Sequence, residues 1–373
     1  MNIVVACGGT GGHAFPGLAV AGELQSRGHE VTVWDSGRDV ESSVMRNWTG
    51  AAFSTGAKQL SLKNAIANLR SIVRCRREMR KTRPDALVAM GSYSSLPPVM
   101  AANGCGVPVV LHEANTVPGR AVEFLSRYAK AVATSFEVTS KYLPRVKTIR
   151  TGLPIRQSIT TGRRFDFIPK DAFVIFVTGG SQGAHMVNNL ASDAIVMMKN
   201  ELDARPAEGR RPLYVIHQTG AADEGSVMAA YALAGIPARV MAFEDEMANA
   251  FASASIVVAR AGASTCFELA ACGKPALLIP LPTALRNHQH FNADAFASHG
   301  AADEGIQSEL SAHQLARYLV AKYDRPDRLA EMSAKMFSLA TPDAATKVAD
   351  LVESCVSQSR ASSIFVKKQE NRS

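Results

Sequence analysis

Short, mostly continuous apolar runs alternate along the chain with longer stretches whose apolar residues recur every three or four positions. In the first half the runs are Ile3–Cys7, Val31–Trp34, Ala86–Met90, Val107–Leu111 and Ala131–Ser135. In the second half they are Phe173–Thr178, Leu213–His217, Arg239–Phe243, Ile256–Ala259 and Ala276–Pro280. Apolar strands separated by helices predict parallel sheets covered on both faces, in an α/β fold. The rhythm breaks at Leu153–Pro169, where Thr160-Thr161-Gly162-Arg163-Arg164 predicts a linker. Two domains are therefore expected, over 1–160 and 161–343. A helical pattern follows over about 344–358, and a polar tail over 359–373 is expected to fray.

Two of the runs end alike. Ile3–Cys7 leads into Gly8-Gly9-Thr10-Gly11-Gly12-His13, and Phe173–Val177 leads into Gly179-Gly180-Ser181-Gln182-Gly183-Ala184-His185. Glycines let backbone approach a ligand, and a following helix points its first N–H groups at an anion. Pro16 suits the first turn of the helix after the first loop, which puts His13 at or just before the helix start. The positive helix end favours a neutral imidazole able to accept a proton, so His13 is either a general base or a cap. Ser181 and Gln182 either hold a diphosphate or form a tight turn with no ligand.

A third junction, Arg260-Ala261-Gly262-Ala263-Ser264-Thr265-Cys266-Phe267-Glu268, follows the strand Ile256–Ala259. Placed at the end of a first turn, Glu268 either accepts from both hydroxyls of a ribose or caps the helix. Asn287-His288-Gln289-His290 brings no clustered carboxylate, so Gln289 as a donor to sugar hydroxyls is preferred to a metal site. Glu244-Asp245-Glu246, between a strand and a helix, reads as cap and dipole partners. No Gly-x-x-x-x-Gly-Lys-Ser/Thr occurs, which argues against a P-loop NTPase.

Composition narrows the class. Hydrophobic residues make up 47% and charged residues 20%, as in a soluble globular protein. No run approaches the roughly 18–20 apolar residues that span a bilayer. The N-terminus has no basic stretch of the kind that opens a signal peptide. Six scattered cysteines form no Cys-x-x-Cys pair, which suggests reduced thiols rather than disulfides or zinc. The charge is uneven: residues 1–160 hold 20 Lys and Arg against 10 Asp and Glu, and the remainder 21 against 23. The first half therefore meets something anionic, whether nucleic acid, a membrane surface or a phosphorylated substrate. Residues 61–83 concentrate the excess, with Lys63, Arg70, Arg74, Arg76, Arg77, Arg80, Lys81 and Arg83 opposed only by Glu78. Leu62, Ile66, Leu69, Ile72, Val73 and Met79 recur there at helical spacing. Such a helix lies on an anionic membrane or turns its apolar face into the domain core.

Seven segments occur in an order that resembles the MurG family: Gly8–Val20, Gly91–Pro97, His112–Asn115, Gly152–Arg156, Gly179–Gly183, Arg260–Glu268 and Asn287–Ala293. The resemblance runs from residue 2 to about 350. It implies the GT-B architecture, two Rossmann-like domains with parallel sheets facing across a cleft, and a C-terminal helix that packs back on the first. It also implies inverting transfer of N-acetylglucosamine (GlcNAc) from UDP-GlcNAc to the C4 hydroxyl of undecaprenyl-diphosphate-linked N-acetylmuramoyl-pentapeptide, converting lipid I to lipid II. Ser181 would contact the donor diphosphate, Glu268 the ribose and Gln289 the sugar. The backbone of Ala263, Ser264 and Thr265 would help with the phosphates, and Glu244 would meet uracil through its backbone. Asn115 and Arg156 would complete the donor site. Thr10, Gly11, Gly12, His13 and Tyr93 would face the acceptor, with His13 catalytic. No metal or other cofactor is implied, nor any nucleic acid partner. The stretch 61–83 would bind the cytoplasmic face of the bacterial inner membrane. Four positions depart from the family's usual residues: Ser92 for Gly, Ala114 for Gln, Glu244 for an aliphatic residue and Arg286 for Asp. Kindred readings are a UDP-GlcNAc 2-epimerase, a glycolipid glycosyltransferase and an inactive GT-B membrane scaffold.

Overall fold

The computed structural model describes residues 1–370 except 10, 38–44, 46, 47, 60, 181 and 182, with the side chains of 360 and 362–370 also outside the description. The chain divides into two compact units, Met1–Arg156 with Thr341–Ser373, and Gln157–Ala340.

The first unit is built on a seven-stranded parallel sheet. Its strands are β1 (Asn2–Ala6), β2 (Glu30–Asp35), β3 (Ala51–Ser54), β4 (Ala86–Ala89), β5 (Val109–Glu113), β6 (Ala131–Thr134) and β7 (Thr148–Arg150), in the order β3-β2-β1-β4-β5-β6-β7. Alternate residues of β1 feed opposite faces. Ile3 and Val5 pack with Val20 and Leu24 of the helix Gly11–Ser26 and with Val348 and Val352 of the helix Ala344–Glu370. Val4 and Ala6 pack on the other side with Cys75, Met79, Val99 and Leu125. The long C-terminal helix thus belongs to the first unit's core. It continues to Glu370, beyond the end expected near residue 358, because no proline or glycine interrupts it.

The second unit has a six-stranded parallel sheet. Its strands are β8 (Phe173–Thr178), β9 (Leu213–Gln218), β10 (Ala238–Met241), β11 (Ile256–Ala259), β12 (Ala276–Leu278) and β13 (Ala302–Glu304), in the order β10-β9-β8-β11-β12-β13. Phe173, Ile175 and Val177 share one core face with Val187, Ile195 and Leu319. The expected linker Leu153–Pro169 is packed rather than free. Gln157–Thr160 forms a helical turn, Phe165 and Ile168 are buried, and Arg164 donates to the Ser253 carbonyl at 3.0 Å.

Every strand expected from the apolar runs is present, but β3, β7 and β13 were not expected. All three are only three or four residues long and largely half-buried or exposed, so no continuous apolar run marks them. In each sheet the strand order reverses direction between two central neighbours, β1 and β4 in one unit, β8 and β11 in the other. The carboxyl ends of such strand pairs open a crevice where ligands bind in α/β sheets.

Candidate active site

In the first unit, the chain leaves β1 through Gly8 and Gly9 and enters the helix Gly11–Ser26. Gly9 has φ +113°, and a Cβ there would run into the Ser92 hydroxyl, so only glycine fits. His13 is the third residue of the helix and half-buried. Its ring lies against Gly91, where an added Cβ would sit 3.6 Å from the His13 Cδ2. Pro16 falls in the second turn, not the first as expected, so it removes an internal bond to the Gly12 carbonyl. Thr10 lies outside the described residues; Gly11 and Gly12 open the helix.

The loop after β4 meets this one. Ser94 Oγ donates to the Gly8 carbonyl at 2.5 Å, and Ser95 Oγ donates to the Gly91 carbonyl. Tyr93, half-buried, starts the short 3-10 turn Tyr93–Ser95. Ser92, where the MurG resemblance expects glycine, adopts φ +68° and ψ 167°. After β5, the buried Glu113 carboxylate organises the next loop. Its Oε1 accepts from the Asn115 backbone N–H at 2.8 Å and from Asn115 Nδ2 at 3.2 Å, and its Oε2 accepts from the Gly119 N–H at 3.0 Å. Burial pushes the Glu113 carboxyl up, against the pull of those donors. Its neighbour His112 is also buried, which lowers its imidazole to about 4 and keeps it neutral. Arg156 places its guanidinium 4.5 Å from the centre of the Phe15 ring. His13, Tyr93, Asn115 and Arg156 thus all follow strand ends on the carboxyl edge of one sheet.

The second unit repeats the plan. After β8, Gly183 has φ +72°, and a Cβ there would strike the Thr219 carbonyl, so glycine is required. The Gly183 N–H donates to the Gly180 carbonyl at 2.9 Å, closing a turn ahead of the helix His185–Asp203. Ser181 and Gln182 lie outside the described residues. After β11, Ala263, Ser264 and Thr265 form the first turn of the helix Ala263–Cys272. Glu268 is the sixth residue of that helix and buried. The N3-type capping alternative therefore fails, because the residue lies a turn too deep.

Two buried polar groups hold these loops in register. Arg260 donates through Nη1 to the Ile279 and Pro280 carbonyls at 3.2 and 3.1 Å, and through Nη2 to Gln307 Oε1 at 2.7 Å. Asn292 Nδ2 donates to the Ala261 carbonyl at 3.1 Å. Gln289 accepts the Leu281 N–H at 3.0 Å through Oε1, which fixes the side chain beside the loop after β12. His288 Nδ1 faces the Leu285 carbonyl and His290 Nδ1 faces Glu304 Oε1, so the two histidines have separate partners. No group of three or more His, Cys, Asp or Glu suited to a metal ion occurs among the described residues. The Glu244 side chain is turned inward, bonded to Arg239 Nε at 3.0 Å and Arg239 Nη2 at 3.1 Å, and accepts the Glu246 N–H at 2.9 Å. Its backbone is what remains for a ligand. Arg286, where Asp is usual in the MurG resemblance, and Asn287 both have φ +55°. Asparagine and aspartate tolerate that region better than arginine.

His112, Glu113 and Ser94 hold the loops of the first unit, and Arg260 and Asn292 those of the second, yet sequence reasoning gave them no separate role. The signal was a charged or polar residue inside an apolar strand or beside a glycine loop, as in Val109-Val110-Leu111-His112-Glu113.

Two parallel α/β sheets, each with a glycine loop and helix start at its reversal point, are the two Rossmann-like units of the GT-B class of fold. Residues 3–134 match the glycosyltransferase family 28 N-terminal domain and residues 174–351 the glycosyltransferase family 28 C-terminal domain. The chain belongs to glycosyltransferase family 28, within its MurG branch. It is 37% identical to the UDP-N-acetylglucosamine–N-acetylmuramyl-(pentapeptide) pyrophosphoryl-undecaprenol N-acetylglucosamine transferase of Geobacter sulfurreducens, over 94% of this chain and 97% of that relative. The crystal structure of Acinetobacter baumannii MurG superposes with a TM-score of 0.74 at 29% identity, covering 95% of this chain and 99% of that one. A UDP-GlcNAc 2-epimerase from Neisseria meningitidis bound to UDP-GlcNAc gives a TM-score of 0.70 at 14% identity, over 94% and 99% of the two chains, a likeness of fold alone.

Proposed function

We propose that this chain transfers GlcNAc from UDP-GlcNAc to the C4 hydroxyl of the muramoyl sugar of lipid I, giving lipid II for peptidoglycan. The observation that carries the reading is the 37% identity, across 97% of its length, to a relative named for that transfer. The acceptor oxygen attacks C1 of GlcNAc from the face opposite the leaving group, so configuration inverts. His13 takes the hydroxyl proton. Its place against Gly91, beside the loop that carries Tyr93, supports that role. The C1–O bond breaks with its electron pair passing to the β-phosphate of UDP. The glycine loop after β8 and the N-termini of the helices at His185 and Ala263 stabilise that charge with fixed dipoles. Glu268 receives the ribose hydroxyls, the backbone at Glu244 receives uracil and Gln289 receives the sugar hydroxyls.

The helix Ala65–Thr82 supports a membrane role. Leu62, Ile66, Leu69 and Val73 are 97%, 68%, 61% and 44% exposed, and they line up at helical spacing. The face turned into the unit is instead Asn68, Ser71, Cys75 and Met79. Of the six apolar residues expected in the stripe, Met79 packs into the core and Ile72 is half-buried, so the stripe is split and its exposed part, Leu62, Ile66, Leu69 and Val73, supports the membrane reading. Exposed Arg70, Arg74 and Arg77 flank the stripe, and Lys63 lies at its N-terminal end. This chemistry fits an anionic membrane surface, on whose cytoplasmic face the polyprenyl acceptor is reached. No helix among the described residues is long and apolar enough to cross a membrane. Labelled UDP-GlcNAc with a lipid I analogue tests the reaction. Conversion of the donor alone to its C2 epimer would instead favour the epimerase.

A further inference from the structure

We propose that Arg239 is a positioning residue for the donor base: acting through the buried Glu244 carboxylate, it holds the backbone at 244 in the arrangement that selects uracil. The assignment rests on the donor reading above. Arg239 lies on β10, and Glu244 sits in the loop between that strand and the helix Met247–Ser253. The Glu244 side chain is fully buried, where the MurG resemblance expects an aliphatic residue. A buried carboxylate is costly unless a cation and hydrogen bonds meet it. The chain supplies both. Arg239 Nε donates to Oε2 at 3.0 Å and Nη2 donates to Oε1 at 3.1 Å, a two-point fork. Oε1 also accepts the Glu246 N–H at 2.9 Å, so the loop closes on its own side chain.

The fork is braced in turn. The Arg239 guanidinium lies 4.9 Å from the centre of the buried Phe165 ring, which stacks on Phe167 at 5.0 Å. The Phe165 N–H donates to Ser253 Oγ at 3.0 Å, at the far end of the helix that follows the loop. Glu246 Oε1 accepts from Asn249 Nδ2 at 2.9 Å, and Asn249 Oδ1 accepts the Arg163 N–H at 2.9 Å. On the other side, the Ala242 carbonyl accepts the Gly220 N–H at 3.0 Å, which ties the loop to the one after β9. The bond to Glu244 pushes the Arg239 guanidinium above its ordinary range, so the fork keeps its charge.

One group in this tight loop is left over. Glu244 as a whole is 2% exposed, yet its backbone N–H has no acceptor among the described residues. Buried N–H groups in native folds are paired, so this one is suited to an acceptor from outside the chain. Uracil, like thymine, presents its O4 acceptor where cytosine presents an amino donor. A backbone donor that cannot swing aside pairs with the first base and sets donor against donor with the second. Arg239→Met leaves the Glu244 carboxylate buried without a cation, and the loop then opens to hydrate it. A loop in its binding arrangement only about a tenth of the time binds about tenfold more weakly. The opened loop also loses its preference between the two bases.

The test is calorimetric binding of UDP and of CDP to wild type, Arg239→Met, Arg239→Lys and the double variant Arg239→Met with Glu244→Ile, with steady-state transfer alongside. Arg239→Met should weaken UDP about tenfold and CDP less than twofold, so the preference for UDP falls. The KM for UDP-GlcNAc should rise with kcat nearly unchanged, since the base takes no part in bond breaking. The double variant removes both charges and should recover most of the UDP affinity. Arg239→Lys should fall between, because an ammonium cannot make the fork. A UDP-over-CDP preference within twofold of wild type in Arg239→Met overturns the assignment, and equal losses for both nucleotides are such a result. Should Arg239→Met fail to fold, Arg239→Lys carries the same reading, and an unchanged preference there overturns it. A wild type that binds neither nucleotide refutes the donor reading and this assignment with it. A wild type that prefers UDP, with an unaltered Arg239→Met, refutes this assignment alone.

Discussion

Ser92→Gly should stabilise the first unit. Ser92 holds φ +68° and ψ 167°, a region that glycine occupies almost alone. A side chain held there costs about 1–3 kcal/mol. Glycine removes that strain but widens the unfolded ensemble, which offsets about 0.5–1 kcal/mol. The net gain is about 1 kcal/mol, or about 2–4 °C in the melting temperature of a unit this size. Ser92→Ala separates strain from chemistry. It deletes the hydroxyl that stands against Gly9 yet keeps the Cβ, so it should bring no such gain. Chemical denaturation monitored by the fluorescence of Trp34 and Trp48, both in this unit, gives the free-energy change of each variant, and a thermal melt gives the temperature shift. A Ser92→Gly protein no more stable than Ser92→Ala would refute the strain argument.

Acid should weaken the second unit through His217. Burial lowers this imidazole from 6.5 to about 3, so the folded form stays neutral while the unfolded form takes a proton. Its contribution is whole above pH 6.5 and is lost at about 1.4 kcal/mol per pH unit as the pH falls towards 3. Hydrogen exchange of the β8 and β9 amides between pH 7.5 and 5 reads this slope, and His217→Gln should flatten it; equal slopes would contradict the account. On the first unit, Ile66→Asp with Leu69→Asp removes two residues from the exposed stripe. Each is worth up to about 1.5–3 kcal/mol if buried in lipid, so binding to anionic vesicles should fall more than tenfold. Turnover of a water-soluble acceptor should remain, and unchanged vesicle flotation would remove the membrane role.

Much of the fold was legible because parallel strands buried on both faces are apolar throughout. Val4 and Val5 must both be apolar, since they face opposite cores. The edge strands β3 and β13 escaped because β3 is exposed at one end and β13 is three residues long and mostly only half-buried. The glycine loops were legible because Gly9 and Gly183 leave no room for a Cβ. Glu268 shows the limit. It was expected at the end of the first turn, but the helix starts at Ala263 and carries it into the second. The basic stretch at 61–83 shows another. Periodicity establishes an apolar stripe, yet only tertiary packing decides that Cys75 and Met79 turn inward while Leu62 and Ile66 turn out. Long-range polar partnerships, such as His185 with Asp223, leave no mark on local pattern at all.

The central claim is transfer of GlcNAc with His13 as base. Its most direct test incubates labelled UDP-GlcNAc with a lipid I analogue, using wild type and His13→Ala. The account predicts label in the lipid only when both substrates are present. It also predicts turnover reduced by about 10²–10⁴ in His13→Ala, with UDP-GlcNAc binding retained. Epimerised donor without acceptor, an unlabelled lipid, or near-normal turnover by His13→Ala would contradict it.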